Sequence, residues 1–359
     1  MGTRKAVLAG IAIIAAIAAA GYAYRGTISL ALVERTAARG FAADPIRELP
    51  DGLHVGICGA GSPMPDEKRN APCTVVIAGK RMFLFDAGGS AARGVGRMQL
   101  TQGRIEAVFL THFHSDHIDG LGELMMLRWV STANDKPLPV HGPQGVEAVV
   151  AGFNQAYAQD KSYRIAHHGE KIAPPSGSGG VAMPFAAGVA GGRAVVISEP
   201  DLEIVAFDVD HGPIHPAVGY RIRYKDRTVV LSGDTSKSPA VQREAQGVDL
   251  LVHEALSPAM VNMLGKIARE AGRDNVAQIM TDILNYHTTP EQAAETARDA
   301  KVGYLLLNHI VPPLPLRTLE APFLGKARDI FAGEIRVAAD GDLVSLPVGS
   351  KEIRVSRRR

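Results

Sequence analysis

Leu110-Thr-His-Phe-His-Ser-Asp-His-Ile-Asp-Gly120 is the stretch on which the reading of this chain turns. Three imidazoles and a carboxylate, those of His112, His114, Asp116 and His117, fall within six residues, directly after the largely apolar run 105–110. Imidazole and carboxylate donors suit borderline cations such as Zn²⁺, and these four side chains with donors from elsewhere exceed what one tetrahedral ion takes. The run therefore predicts two metal ions side by side and a hydrolase that uses them. Residues 107–110 read as a buried parallel strand, and residues 120–124 open a helical pattern that continues to about Val130. The histidines thus occupy the loop at the carboxyl end of a strand, where open α/β sheets place their sites.

A centre of this kind needs donors from other parts of the chain. His211 follows the apolar run 202–209, Asp234 closes Val229-Val-Leu-Ser-Gly-Asp234, and His309 follows the run 304–308. Each is a ligand-type side chain at the end of a predicted buried strand. Together with the His-x-His-x-Asp-His core and Gly233-Asp-Thr235, these positions resemble the metallo-β-lactamase superfamily, in its branch of tRNA 3′-end nucleases (tRNase Z) and arylsulfatase-like enzymes. The resemblance runs over residues 53–346. It implies an α/β fold, a four-layer αββα sandwich of two similar halves with a dinuclear site at the rim between them. It also implies that His112, His114 and His211 bind one metal, that Asp116, His117 and His309 bind the other, and that Asp234 bridges both. Two Zn²⁺ are the expected cofactors, with Fe or Mn as alternatives, because histidine–aspartate sites accept all three.

The expected chemistry follows from charge. Two cations about 3.5–4 Å apart lower the pKa of a shared water toward neutrality and neutralise the oxyanion that develops on the substrate. Asp116 counts here both as ligand and as part of the catalytic set. His287, in Tyr286-His-Thr-Thr-Pro290, resembles the histidine of the family's His-Ser-Thr motif, which protonates the leaving group. His253-Glu254-Ala255 resembles its His-Glu-Ala-Thr motif, whose glutamate orients that histidine in its donating tautomer. Thr288 and Leu256 depart from the two motifs, so a purely structural His287–Glu254 pair stays open. Asp86-Ala-Gly88 resembles the family's Asp-x-Gly, which implies that Asp86 buttresses the metal loop rather than binding metal. His141 and the pair His167-His168 have structural readings at least as good as functional ones, and His54 and His215 carry no motif.

Arg4-Lys5 precedes the uncharged apolar run 6–24, which has the pattern of a signal peptide and just enough length to span a bilayer. No polar linker follows, which favours retention. The expectation is an inner-membrane anchor, the Arg4-Lys5 end cytoplasmic and the rest on the periplasmic or extracellular side; cleavage within 18–23 is the alternative. The predicted organisation is a signal peptide or anchor at 1–25, a helical stalk at 26–50, a hydrolase domain at 51–348 with halves meeting near 200, and a basic tail at 349–359.

The formal net charge is +2, and setting aside the three cations of residues 1–25 leaves about −1. Such a balance gives no support for polyanion binding, and Arg357-Arg-Arg359 reads as a solvated end. His211 and Asp234 are separated by a strand–turn–strand turning at Asp226, too short for the Gly/Pro-rich arm that the resemblance associates with tRNA nucleases. The sequence thus points to an exported dinuclear hydrolase in which a metal-bound hydroxide attacks an ester bond; residues 210–220 resemble a motif of the arylsulfatase-like branch, and that resemblance favours sulfate or phosphate esters. A lactonase of the same fold is the second reading, and a non-catalytic metal-stabilised binding protein the third. The expected partners are a small-molecule ester and the membrane, with no nucleic acid; a homo-oligomer is left open.

Three smaller expectations remain. Cys58 and Cys73 flank the loop 59–72 and fit either a disulfide or two buried thiols. The Gly/Pro/Ala-rich segment 172–193 reads either as a mobile flap over the pocket or as a surface insertion. Residues 275–286 and 289–300 read as helices, the second capped by Thr288 or Thr289 with Pro290 in its first turn.

Overall fold

The computed structural model describes residues 2–187 and 192–358. The chain divides into two units, Met1–Pro45 and Ile46–Arg359.

The first unit consists of the helices Gly2–Ala23 and Arg25–Ala42. Beyond Arg4 and Lys5, its segment Arg4–Ala23 is uncharged and largely apolar, and none of it is buried within the protein. At 1.5 Å per residue these 20 residues extend about 30 Å, the thickness of a bilayer's hydrocarbon core.

The second unit begins at Ile46, which is buried in its core, whereas the sequence places the boundary at 50. The reason is local: the Lys80 ammonium donates to the carbonyls of Ile46, Arg47 and Leu49 at 3.1, 3.1 and 2.7 Å and ties this turn down. Fifteen strands follow among the described residues: β1 (Gly52–Gly59), β2 (Cys73–Ala78), β3 (Arg81–Phe85), β4 (Ile105–Phe109), β5 (Leu138–Pro143), β6 (Gly180–Phe185), β7 (Arg193–Ser198), β8 (Leu202–Asp208), β9 (Val218–Tyr224), β10 (Arg227–Leu231), β11 (Leu250–Leu256), β12 (Tyr304–Val311), β13 (Glu334–Val337), β14 (Asp342–Pro347) and β15 (Arg354–Arg357). They form an eight-stranded sheet in the order β15-β14-β1-β2-β3-β4-β5-β6 and a seven-stranded sheet in the order β13-β12-β11-β10-β9-β8-β7.

The near-continuous apolar character of central strands such as β1, β2, β11 and β12 follows from burial on both faces. Side chains alternate across a strand, so Val76 and Ala78 of β2 with Phe83 and Phe85 of β3 enter the core between the sheets. Their neighbours Val75, Ile77, Met82 and Leu84 turn to the outer face, under the helices Ala91–Arg97, Leu121–Ser131 and Val146–Ala156. Leu305 and Leu307 of β12 do the same beneath the helices Pro239–Glu244 and Pro290–Asp299. Each such fully buried side chain contributes roughly 1.5–3 kcal/mol. The result is the four-layer αββα sandwich that the motifs imply. The helix Pro290–Asp299 starts as the sequence predicts, with Pro290 in its first turn and a capping box between Thr289 and Gln292.

Three expectations need correction. The halves are not contiguous in sequence: β14 returns from the C-terminal end to pair with β1, Val344 opposite Val55, and β7 belongs to the second sheet. Residues 349–359 are not a solvated tail throughout, since β15 pairs with β14 and Arg357 donates to the buried Asp342 carboxylate at 2.7 Å; Arg359 itself lies outside the described residues. The segment 172–193 supplies edge strands rather than a flap, β6 pairing with β5 and β7 starting at Arg193. Residues 188–191 within it lie outside the described residues.

Cys58 and Cys73 form a disulfide, with their Cα atoms 5.0 Å apart, joining the end of β1 to the start of β2. The bond closes a loop with a sequence separation of 15, for which chain-entropy arguments give about 3 kcal/mol. The double variant Cys58→Ser/Cys73→Ser is accordingly expected to lose about 3 kcal/mol of unfolding free energy in urea titrations; a loss within experimental error would show that the cross-link constrains nothing.

Candidate metal centre

The centre is assembled from the carboxyl ends of strands in both sheets. Past the end of β4, the Leu110 carbonyl accepts the Tyr220 hydroxyl at 2.6 Å, which fastens the metal loop to the opposite sheet. Asp86, just after β3, adopts φ 57°, a left-handed conformation that aspartate tolerates better than most residues. From there its carboxylate accepts the Thr111 backbone N–H at 2.8 Å and the Thr111 hydroxyl at 3.0 Å, and it holds His117 Nδ1 at 2.8 Å. His117 is thereby fixed with Nε2 facing inward. Asp116 and His117 sit on the short helix Ser115–Ile118, with His114 immediately before it.

The distant donors arrive by different devices. His211 is oriented by Nδ1 donating to the Tyr286 carbonyl at 3.0 Å. Asp234 follows Gly233, whose φ of +62° and closeness to Val218 (2.5 Å from a would-be Cβ to its carbonyl oxygen) both require glycine. His309 does not follow its strand, as the sequence suggests, but lies within β12. It is the extra residue of a bulge: Glu254 pairs with Asn308 and Ala255 with Ile310, and His309 at φ 46° is left out of the ladder. The bulge re-aims its side chain, bringing Nε2 to 3.3 Å from Asp116 Oδ2 and 3.2 Å from Asp234 Oδ2.

The ligand atoms of His112, His114 and His211 lie within 4.8 Å of one another, as do those of Asp116, His117 and His309. Asp234 joins His112 and His117 in one such group and His287 and His309 in another. All seven residues that the sequence singles out as ligands are therefore brought together, in two clusters that share Asp234.

The donor set fits metal ions. His117 Nε2 and His211 Nε2 are buried without a hydrogen-bond partner, and His112 Nε2 lies 2.9 Å from His114 Nδ1, one basic nitrogen facing another. Leaving such groups unmatched costs about 1–3 kcal/mol each, which a shared cation removes. These histidine–aspartate clusters could each hold one.

Charge is unevenly distributed across the clusters in the metal-free protein. Burial holds His112 well below the usual imidazole range, with His117 adding to the effect, and burial also lowers His114 and His211. Burial works against His309 too, but the carboxylates of Asp234 and Asp116 outweigh it and push this imidazole up to about 8. For His117 the same contest, with Asp234, Asp86 and Asp116 prevailing, leaves it well above its ordinary value. A metal needs neutral imidazole, so binding at Asp116, His117 and His309 displaces protons below about pH 8 and weakens as pH falls. Calorimetric titration with Zn²⁺ at pH 7 is expected to show a heat that depends on the buffer's ionisation enthalpy, in the direction of proton release. A buffer-independent heat would contradict this.

Beside the clusters, Glu254 Oε1 accepts the backbone N–H of Thr235 at 3.2 Å and of Thr288 at 2.9 Å and pairs with His287 Nδ1 at 3.1 Å. Thr288, which departs from the serine of the motif, still uses its hydroxyl, donating to the Thr235 carbonyl at 2.6 Å. Leu256 instead joins a small apolar cluster with Val261, Met280 and Val311. The His287 ring stacks against that of His309, with centroids 5.5 Å apart. His141 lies in β5 with its ring stacked on Phe109, and His167-His168 end an exposed helix, so neither joins the centre. Thr111, Tyr286 and Thr235 position the site without a motif of their own; their only signal in the sequence is adjacency to a ligand or to His287.

Residues 81–310 match the family model described as a beta-lactamase superfamily domain. The chain belongs to the metallo-β-lactamase superfamily. Ribonuclease Z of Mycobacterium sp. (strain KMS) is 34% identical over 289 residues, covering 80% of this chain and 94% of that protein. Ribonuclease Z of Mycolicibacterium gilvum is 37% identical over 264 residues, covering 73% and 85%. Among solved structures, the metallo-β-lactamase fold protein YhfI from Bacillus subtilis superposes with a TM-score of 0.59 and human tRNase Z, short form, with 0.57. Each is 20% identical and covers 82% of this chain and all of its own, which is a likeness of fold.

These superfamily relatives match the tRNase Z branch and overturn two expectations. Proteins this similar over nearly their whole length are named as ribonucleases, which contradicts an exported arylsulfatase-like hydrolase or lactonase. It equally contradicts a small-molecule ester as partner to the exclusion of nucleic acid. The physical reason is that net charge averages over the whole surface and does not register where cations gather. The absence of an arm between His211 and Asp234 is real, β9 and β10 being joined by a tight turn, but it bears on how a substrate would be gripped rather than on which bond is cut.

Proposed function

We propose that this protein is a metal-dependent phosphodiesterase that cleaves RNA, a ribonuclease of the Z type. The observation that carries this reading is His287, held by Glu254 beside the two donor clusters. A ribose alkoxide is a poor leaving group and needs a proton as the P–O bond breaks, and a positioned imidazole supplies one. The names and extent of the relatives support the same substrate class.

In this reading His112, His114 and His211 would hold one Zn²⁺ and Asp116, His117 and His309 the other, with Asp234 in reach of both sets; Fe or Mn would suit the same donors. When bound, the pair supplies an acidified water and neutralises charge developing on the phosphoryl oxygens. The protein's own residues do the rest. Asp86 and the Tyr286 carbonyl fix the His117 and His211 rings, and His287, its Nδ1 proton held by Glu254, presents Nε2 to the leaving oxygen.

The test is direct. Full-length protein, stripped of metal and reloaded with Zn²⁺, is assayed on a tRNA with a 3′ extension and on an unstructured oligoribonucleotide. Cleavage that a chelator abolishes is the expected result. A preparation that holds two ions per chain and cuts neither RNA would overturn the reading. We also propose that residues 4–23 anchor the protein in a membrane. Full-length protein should then stay with membranes through an alkaline carbonate wash, and release into the soluble fraction would overturn the anchor.

A further inference from the structure

Apart from the donor clusters, the second unit contains a hollow of about 780 Å³, within the roughly 300–1,000 Å³ typical of ligand sites. Cations converge on it from four separate elements: Lys68 from the loop after β1, Arg97 from the helix Ala91–Arg97, Arg317 from the loop after β12, and Arg357 with Arg358 from β15 and its end. The acids of the same wall are Glu67, Glu320 and Asp340. Asp340 is engaged with the backbone, its two oxygens accepting the N–H of Ala60 at 3.0 Å and of Asn70 at 2.9 Å. Arg317 meets Glu320 only at 3.9 Å with its side chain largely exposed, a pairing of little strength. Arg357 shares the Asp342 carboxylate with Arg336, so that acid already carries two guanidiniums. The hollow therefore keeps a surplus of positive charge, and a ligand with several negative charges relieves it.

We propose that this cavity binds phosphate groups of the RNA chain, at a site separate from the one where the bond is cut. The identity of the polyanion rests on the nuclease reading above; the anion-binding character rests on the cavity alone. One loop links the two places. It carries Lys68 into the cavity wall and ends at Pro72, whose carbonyl accepts the Gly88 N–H at 3.0 Å. Gly88 in turn packs so closely on Asp116 that a Cβ there would lie 2.1 Å from its carbonyl oxygen. Phosphate contacts of this kind fix register without reading sequence, which suits a chain with no arm between His211 and Asp234.

The experiment measures binding of a fluorescent single-stranded oligoribonucleotide by the full-length, metal-loaded protein across a salt series. It compares the native chain with Arg97→Ala/Arg317→Ala, two exposed positions; equal melting temperatures and metal contents verify that the variant folds. Each phosphate contact on a single strand contributes about 0.7 to the slope of log K against log salt, so the variant's slope should be shallower by about 1.4. The same term makes its affinity about 25-fold weaker at 0.1 M salt. A folded variant with unchanged affinity and slope overturns the proposal. Native protein that binds the RNA with the expected slope difference but does not cut it leaves the cavity assignment standing and retires the nuclease reading instead.

Discussion

Asp234→Ala is expected to abolish hydrolysis and to empty the centre of metal. Asp234 is the carboxylate in ligand range of both clusters, near His112 of the first and His117 and His309 of the second. It is nearly inaccessible to solvent, and the imidazoles of His309 and His117, set against the cost of burial, hold its carboxyl well below the usual range. Its carboxylate supplies negative charge where two cations would otherwise repel each other. Removing it withdraws a donor from both ions at once. Metal centres of this type supply several kcal/mol of transition-state stabilisation, and each 1.4 kcal/mol is tenfold, so kcat/KM should fall on the order of 10³-fold or more. Asp234→Asn keeps the volume and removes only the charge, and should show nearly the same loss. His114→Ala offers the contrast: it is half-buried, belongs to a single cluster, and should leave the Asp116–His117–His309 ion in place. Metal analysis alongside rate decides the matter. An Asp234→Asn protein that retains two ions and a tenth of the activity would show that the clusters do not share this residue.

The contrast between local and distant ligands sets how much of the site is legible in the sequence. His112, His114, Asp116 and His117 announce themselves because a strand end and one short helix present them together, within a few residues. Nothing local marks His211, Asp234 and His309 as their partners; the family resemblance linked them, and a crossing of both sheets joins them in space. His309 reads as a strand-end residue because a bulge and a left-handed backbone leave no compositional trace. The return of β14 and β15 to the first sheet was invisible for a related reason: pairing between residues nearly 300 positions apart is a property of the whole sandwich, not of either segment. Charge misled most. A total near neutrality conceals Lys68, Arg97, Arg317 and Arg357, which are never neighbours in sequence yet line one cavity.

His287→Ala should cost far more on RNA than on an activated ester, and that difference is what identifies its role. With Nδ1 held by Glu254, the second proton of the imidazolium sits on Nε2, on the side of Asp234 and His309. A proton delivered to a departing alkoxide is worth roughly 10²–10⁴-fold, so cleavage of an oligoribonucleotide should fall by that factor. A 4-nitrophenolate leaves without help, and hydrolysis of bis(4-nitrophenyl) phosphate should fall less than about tenfold. The alternative is that His287 is an eighth ligand, since its ring nitrogen lies within 4.8 Å of the donors of Asp234 and His309. That alternative makes the opposite forecast: the variant would lose metal, and both substrates would suffer alike. Glu254→Gln separates orientation from charge. Its amide oxygen can still accept from Thr235 and Thr288, so the loop should hold, but it no longer carries the negative charge that stabilises an imidazolium. Its rate on RNA should therefore fall by only part of the His287→Ala loss, with metal content unchanged. A His287→Ala protein with full metal content and equal losses on both substrates would leave Glu254 and His287 as no more than a brace for the loop that carries them.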